Sequence, residues 1–133
     1  GEWCNLGADT NSSNLKNNYA TVRVWEYEAG RFVDRQQQFC GLIMGDHSKT
    51  GINTMLNTGT VVGVACNVYG GDFPRNFIPS FSWGSAKRTM TYKLPKALET
   101  AERVLARRQL LLTPNDRKIL EHIFNESAQY RYA

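Results

Sequence analysis

The chain has 133 residues and only 4 prolines. It also lacks any apolar run approaching the roughly 20 residues that span a bilayer. That absence excludes a membrane-spanning helix by hydropathy, and no membrane partner is expected. Cysteine is sparse: Cys4, Cys40 and Cys66 are an odd number, widely spaced, with no C-x-x-C pair. Such a set argues against a disulfide framework and against a zinc site, so no metal is expected and a reducing cytoplasm is. Charge of one sign is only slightly in excess, with 16 Lys+Arg against 12 Asp+Glu for a net +4. This allows an anionic ligand without arguing for nucleic acid, and no nucleic-acid partner is expected. There is no phosphate-binding Walker loop, no Ser-His-Asp order and no metal-ligand spacing. The first residue is Gly, and Glu2, Asn5 and Asp9 are the wrong flanks for a signal peptide.

What is present divides in two. Hydrophobic residues make up 41% of the chain, enough for a packed core. Residues 1–84 are rich in Gly, Asn, Thr and Val, whereas residues 95–130 are charged, Ala/Leu-rich and nearly glycine-free. This predicts a β domain over 1–84, a linker over 85–94 and a helical tail over 95–133. Pro95 suits a first helical turn, and Leu98, Ala101, Val104 and Leu105 make one apolar stripe. Thr113-Pro114 reads as an N-cap and first position, followed by a stripe of Ile119, Leu120, Ile123 and Phe124. Each helix needs something to pack on, either the β domain or a partner subunit.

The β part contains a repeat. From Met44 it divides into MGDHSK, TGINTM, LNTGTV, VGVACN and VYGGDF. The first column is Met44, Thr50, Leu56, Val62 and Val68, and the second is Gly45, Gly51, Asn57, Gly63 and Tyr69. The fifth is Ser48, Thr54, Thr60, Cys66 and Asp72, and Leu6 to Asn11 fits the same phase. One aliphatic residue in six would point into a narrow prism. The second column would turn the corner with positive φ, and the fifth would sit where coils crowd. A coil of this kind cannot bury its apolar residues alone, so coils stack, and hexapeptide repeats signal a parallel β-helix. The period lapses after Asn14 until about Phe39, which predicts an insertion over about 17–38 projecting as an arm. Because the first hexad is cut, the chain is expected to be a piece of a longer protein.

Gly7-Ala8-Asp9-Thr10 through Ser13-Asn14-Leu15-Lys16, then Gly45-Asp46-His47-Ser48-Lys49-Thr50-Gly51-Ile52-Asn53, resemble a known family. It is the acyltransferase half of bifunctional sugar-1-phosphate nucleotidylyltransferase/acetyltransferases, of the N-acetylglucosamine-1-phosphate uridylyltransferase type, in its Bacteroidetes-type branch. The resemblance implies an all-β fold: a left-handed parallel β-helix with an inserted arm and a C-terminal pair of α-helices. It further implies a homotrimer with sites between subunits. Acetyl-CoA would be a substrate, with no tightly bound cofactor, and an amino-sugar phosphate would accept the acyl group. By position, Ala8, Asn14 and Gly71 match acetyl-CoA contacts, and Asn14 also matches the acceptor end. Leu15 stands where the family often has Tyr. The family's catalytic His lies before the Gly-Ala-x-Thr segment, upstream of residue 1.

Within the chain, His47 is the candidate proton acceptor, since imidazole titrates near neutrality. Lys16, Arg23 and Lys49 are candidates for the phosphates of CoA or of the sugar, as charge-assisted donors, with Lys16 and Lys49 taken as the substrate-binding pair. Trp25, Trp83, Phe73, Phe77 and Phe81 read as packing under the tail helices. A second function is carried beside the first: a non-catalytic trimerisation or regulatory β-helix of a nucleotidylyltransferase.

Overall fold

The computed structural model describes residues 1–131. The expected helical tail runs to residue 133, and residues 132 and 133 lie outside the described residues. In chain order the first strands are β1 (Asn5–Leu6), β2 (Asn11–Ser12), β3 (Arg23–Glu26), β4 (Arg31–Asp34), β5 (Ile43–Met44) and β6 (Lys49–Thr50). There follow β7 (Met55–Leu56), β8 (Val61–Val62), β9 (Asn67–Val68), β10 (Phe77–Ile78), β11 (Ser82–Gly84) and β12 (Thr89–Thr91). Helices α1 (Leu94–Ala106) and α2 (Pro114–Ser127) complete the chain, with a short 3₁₀ turn at Ala128–Tyr130.

The repeat strands are short for a local reason. His47, Asn53, Gly59 and Ala65 all have left-handed backbone, φ +63°, +57°, +71° and +54°. A left-handed residue interrupts an extended run. The chain therefore turns once per hexad, and successive strands visit three sheets in rotation. β5 pairs with β8 in parallel, as do β6 with β9 and β2 with β7. Ile43 stands opposite Val61 and Lys49 opposite Asn67, each three hexads further on. β1 pairs with β6 across the insertion, Asn5 opposite Lys49.

The expected class, an all-β left-handed parallel β-helix, is corrected by this topology. The sheets are mixed: β12 adds antiparallel to β11, and β3 and β4 form a separate antiparallel hairpin. Among the described residues no sheet closes on itself, and the parallel ladders are only two residues long. Two α-helices supply part of the core. The reason lies beyond Val68, where Gly70, Gly71 and Pro74 break the hexad phase. In the last turn Phe77 returns opposite Val61 and Trp83 opposite Asn67, two positions short of three hexads.

Two cores result. Within the stack, Val62, Cys66, Val68 and Ile78 form a buried cluster against Leu42 and Met44. The fifth-column residues Ser48, Thr54, Thr60 and Cys66 are almost wholly buried. Their polar atoms are satisfied by main-chain carbonyls: Ser48 Oγ donates to Gly63 O at 2.6 Å, and Thr60 Oγ1 to Asn57 O at 2.7 Å. The second core joins Ala65, Phe81 and Tyr92 to Ala97 of α1 and Leu120 of α2. Phe81 meets Phe124 edge-on, with centroids 5.1 Å apart. Helix α2 starts with a capping box between Thr113 and Asp116, and Arg117 pairs with Glu102 of α1. Arg131 ties down the end of the described chain: its guanidinium donates to Ser80 O and Phe124 O at 3.1 and 2.9 Å.

The inserted hairpin β3–β4 lies against the stack. Val22 is buried, and Trp25 packs on Phe77. Trp83 instead meets Tyr92 at 4.9 Å, while Phe73 is exposed.

Candidate functional site

The corner between β5 and β6 gathers more titratable groups than its neighbours. His47 sits at its left-handed position, and its N–H donates to the Glu2 carbonyl at 2.9 Å. The Glu2 N–H in turn donates to Asp46 Oδ1 at 2.6 Å. Lys49 Nζ donates to the His47 carbonyl at 2.9 Å, and Cys4 Sγ to the Gly45 carbonyl at 3.2 Å. The first residues thus lie directly on this corner. A Cβ on Gly1 would fall 2.5 Å from the Gly45 carbonyl carbon, so only glycine fits that approach.

The imidazole is half-buried, and its Nδ1 is buried with no hydrogen-bond partner. Burial holds its pKa below the ordinary value, and the Lys49 ammonium adds to this, while Asp46, Asp116 and Glu2 oppose it. Burial also lowers the Lys49 pKa, with Cys4 opposing. The imidazole is therefore neutral at neutral pH, and a neutral imidazole accepts protons. Nδ1 is enclosed, so Nε2 is the nitrogen open to a ligand. Among the described residues no carboxylate or carbonyl accepts from Nδ1 to orient the ring.

The other candidates lie elsewhere on the stack. Ala8 is exposed at the next corner, where its carbonyl accepts the Asn53 N–H at 2.8 Å. Asn14 is exposed, and its carbonyl accepts the Cys40 N–H at 3.0 Å. Lys16 is half-buried and lies within electrostatic reach of Asp34 at the hairpin. Gly71 is exposed in the irregular last turn, with nothing within 4 Å of a built Cβ. The structure therefore joins His47 to Lys49. Among the described residues, no hydrogen bond or ion pair links Asn14, Lys16 or Gly71 to that pair. Glu2, Cys4 and Asp116 are the residues sequence reasoning missed. Glu2 and Cys4 share hexad positions with Asp46 and Ser48 and were within its reach. Asp116 arrives by packing of α2, and nothing local announces it.

Among the described residues no group of three or more His, Cys, Asp or Glu side chains could hold a metal ion. No helix there is long and apolar enough to cross a membrane, and the three cysteines are unpaired. Comparison with protein-family models and with curated proteins finds no match for this chain, so the site rests on its own geometry.

Proposed function

We propose that the chain is the acyltransferase-type domain of a sugar-1-phosphate nucleotidylyltransferase, serving acetyl-CoA-dependent N-acetylation of an amino-sugar phosphate. The setting proposed is cytoplasmic nucleotide-sugar biosynthesis, and the assembly a homotrimer. One observation carries this reading beyond the resemblance. The two segments that bear it, Gly7–Thr10 and Gly45–Asn53, lie side by side as adjacent rungs. Asn5 and Leu6 pair with Lys49 and Thr50, and Thr10 Oγ1 lies 2.8 Å from Thr50 Oγ1. A Cβ on Gly7 would come 2.5 Å from the Gly51 carbonyl carbon. Residues distant in the chain thus form one contiguous surface running from His47 to Ala8.

In the proposed reaction the acceptor amine attacks the thioester carbonyl. A C–N bond forms and the C–S bond breaks. The amine proton passes to His47 Nε2, CoA leaves as the thiolate, and the protonated imidazole returns that proton to the sulfur. Lys49 offers a cation beside that point. An unoriented imidazole forfeits much of the roughly 10²–10⁴-fold that a positioned general base supplies. Turnover by the chain alone is therefore expected to be negligible, and CoA binding weak.

The test is calorimetric titration of CoA together with acetyl transfer to glucosamine 1-phosphate. Weak saturable binding that Ala8→Trp abolishes supports the reading. No binding at all overturns it, and robust transfer by the chain alone overturns the weak-base account. Loss of residual transfer in His47→Ala assigns the proton acceptor. A monomer by sedimentation at micromolar concentration overturns the trimer.

A second reading is a non-catalytic assembly or regulatory module of a nucleotidylyltransferase. Its supporting observation is the exposure of apolar residues on the rungs: Leu6 is 52%, Ile43 51% and Ile52 70% accessible. Trimer formation without CoA binding would favour it.

A further inference from the structure

At the last turn of the stack, far along the chain from His47, β9, β10 and the β11–β12 turn enclose a cleft of about 220 Å³. Its lining carries four cations, Arg75, Lys87, Arg88 and Arg131, and no Asp or Glu. Arg131 is fixed there by its bonds to Ser80 O, Ser127 Oγ and Phe124 O, so it contributes a fixed positive charge. Lys87 and Arg88 differ: they are exposed and make no ion pair or side-chain hydrogen bond with a described residue. Both sit on a tight turn closed by the Ser85 N–H donating to the Arg88 carbonyl at 2.8 Å. Lys87, Arg88 and Arg131 thus share a lining with no Asp or Glu; cations so grouped repel one another, and a bound anion relieves that repulsion.

The rest of the lining is not that of a bare anion site. Pro74, Phe77 and Met90 supply an apolar wall. Asn67, Ser85 and Thr89 line the same cleft, and their side chains make no hydrogen bond with a described residue. An inorganic anion would leave the wall uncovered, and a sugar phosphate would set hydroxyls against it. A ligand with a phosphate at one end and a flat, edge-polar ring at the other uses all three sets of groups.

We infer that this cleft binds a nucleoside phosphate. Lys87 and Arg88 hold the phosphates, the Pro74–Phe77–Met90 wall covers the base, and Asn67 meets the base edge. The size of the cleft suits a small molecule, not a nucleic-acid strand. The inference does not rest on the acyl-transfer reading, because it involves neither His47 nor a thioester.

The test is titration of the chain with ADP, followed by amide NMR shifts and by calorimetry. Saturable binding is expected, with shifts at Asn67 and over 85–89. The doubly substituted Lys87→Ala/Arg88→Ala chain is expected to bind about tenfold or more weaker, since each charged contact is worth a substantial share of that. Both side chains are exposed, so the variant folds; an unchanged NMR spectrum elsewhere checks it. Adenosine and inorganic pyrophosphate are each expected to bind about tenfold or more weaker than ADP. No saturable binding, binding undiminished in the double variant, or pyrophosphate or glucose 1-phosphate binding as tightly as ADP would each overturn the inference. So would a single-stranded oligonucleotide that binds in preference to ADP.

Discussion

Trp25 lies flat on Phe77, with ring centroids 4.1 Å apart and planes 4° from parallel. The pair fastens the inserted hairpin to the final turn of the stack. Phe32 and Tyr130 meet the same indole edge-on, at 5.4 and 5.7 Å. Aromatic pairs of this kind contribute about 0.5–1.5 kcal/mol beyond area burial. Trp25→Ala is expected to cost about 3 kcal/mol and to open the hairpin tip to proteolysis. The indole Nε1 is buried without a partner, so Trp25→Phe removes an unsatisfied donor and is expected to cost about 1 kcal/mol. Denaturant melts of the two variants check this. Equal losses would mean that the stacked ring is not what holds the hairpin.

His47 makes the fold acid-sensitive in a defined window. Its pKa is lowered in the folded state, so below the ordinary value of 6.5 the unfolded chain takes up the proton first. Stability is therefore full above that value and falls as pH drops through it toward the lower folded value. Asp116 is also lowered, chiefly by the Thr113 N–H, but its contribution is lost only as pH falls through the carboxylate range. His47→Asn should flatten the dependence near pH 6, because Asn tolerates the left-handed corner that Asn53 already occupies. Thermal melts between neutral and mildly acidic pH read this. An unchanged slope in the variant would reassign the sensitivity.

The glycines of the stack are not equivalent. A Cβ on Gly63 would stand 2.4 Å from the Ser80 nitrogen, which is main chain and cannot swing aside. Gly63→Ala is expected to cost about 3 kcal/mol. Gly71 has open space and no left-handed φ, so Gly71→Ala is expected to change stability by no more than about 0.5 kcal/mol. Urea midpoints of the two variants give the comparison.

The three thiols should separate by reactivity. Cys66 is fully buried, and burial pushes its pKa up to about 11. Cys4 and Cys40 are partly exposed. A disulfide reagent at neutral pH is expected to modify Cys4 and Cys40 in the native protein and Cys66 only on unfolding. Rapid native labelling of Cys66, read by mass spectrometry, would show that the stack opens.

Much of the stacking was legible in the hexads, because a small buried residue must recur wherever successive rungs meet. The assignment of columns was less so. The left-handed corner was expected at the second column, yet it falls at the fourth: His47, Asn53, Gly59 and Ala65. Those four side chains share no chemistry, so no column of like residues marks them. The second-column glycines Gly45 and Gly63 report crowding between rungs instead. The two tail helices were legible from their stripes and caps, whereas the fold class was misread because the hairpin, β12 and the shortened last turn arise from residues outside the period. Lys49 beside His47 follows from local spacing. Asp116 does not, since only the docking of α2 brings it near.

β12 runs antiparallel to β11 at the margin of the largest sheet. A strand reversed in this way breaks the parallel succession in which β6, β9 and β11 follow one another. The stack is thereby polar as a template: at this margin an added copy of the chain would meet the antiparallel β12 and not a rung of the parallel series.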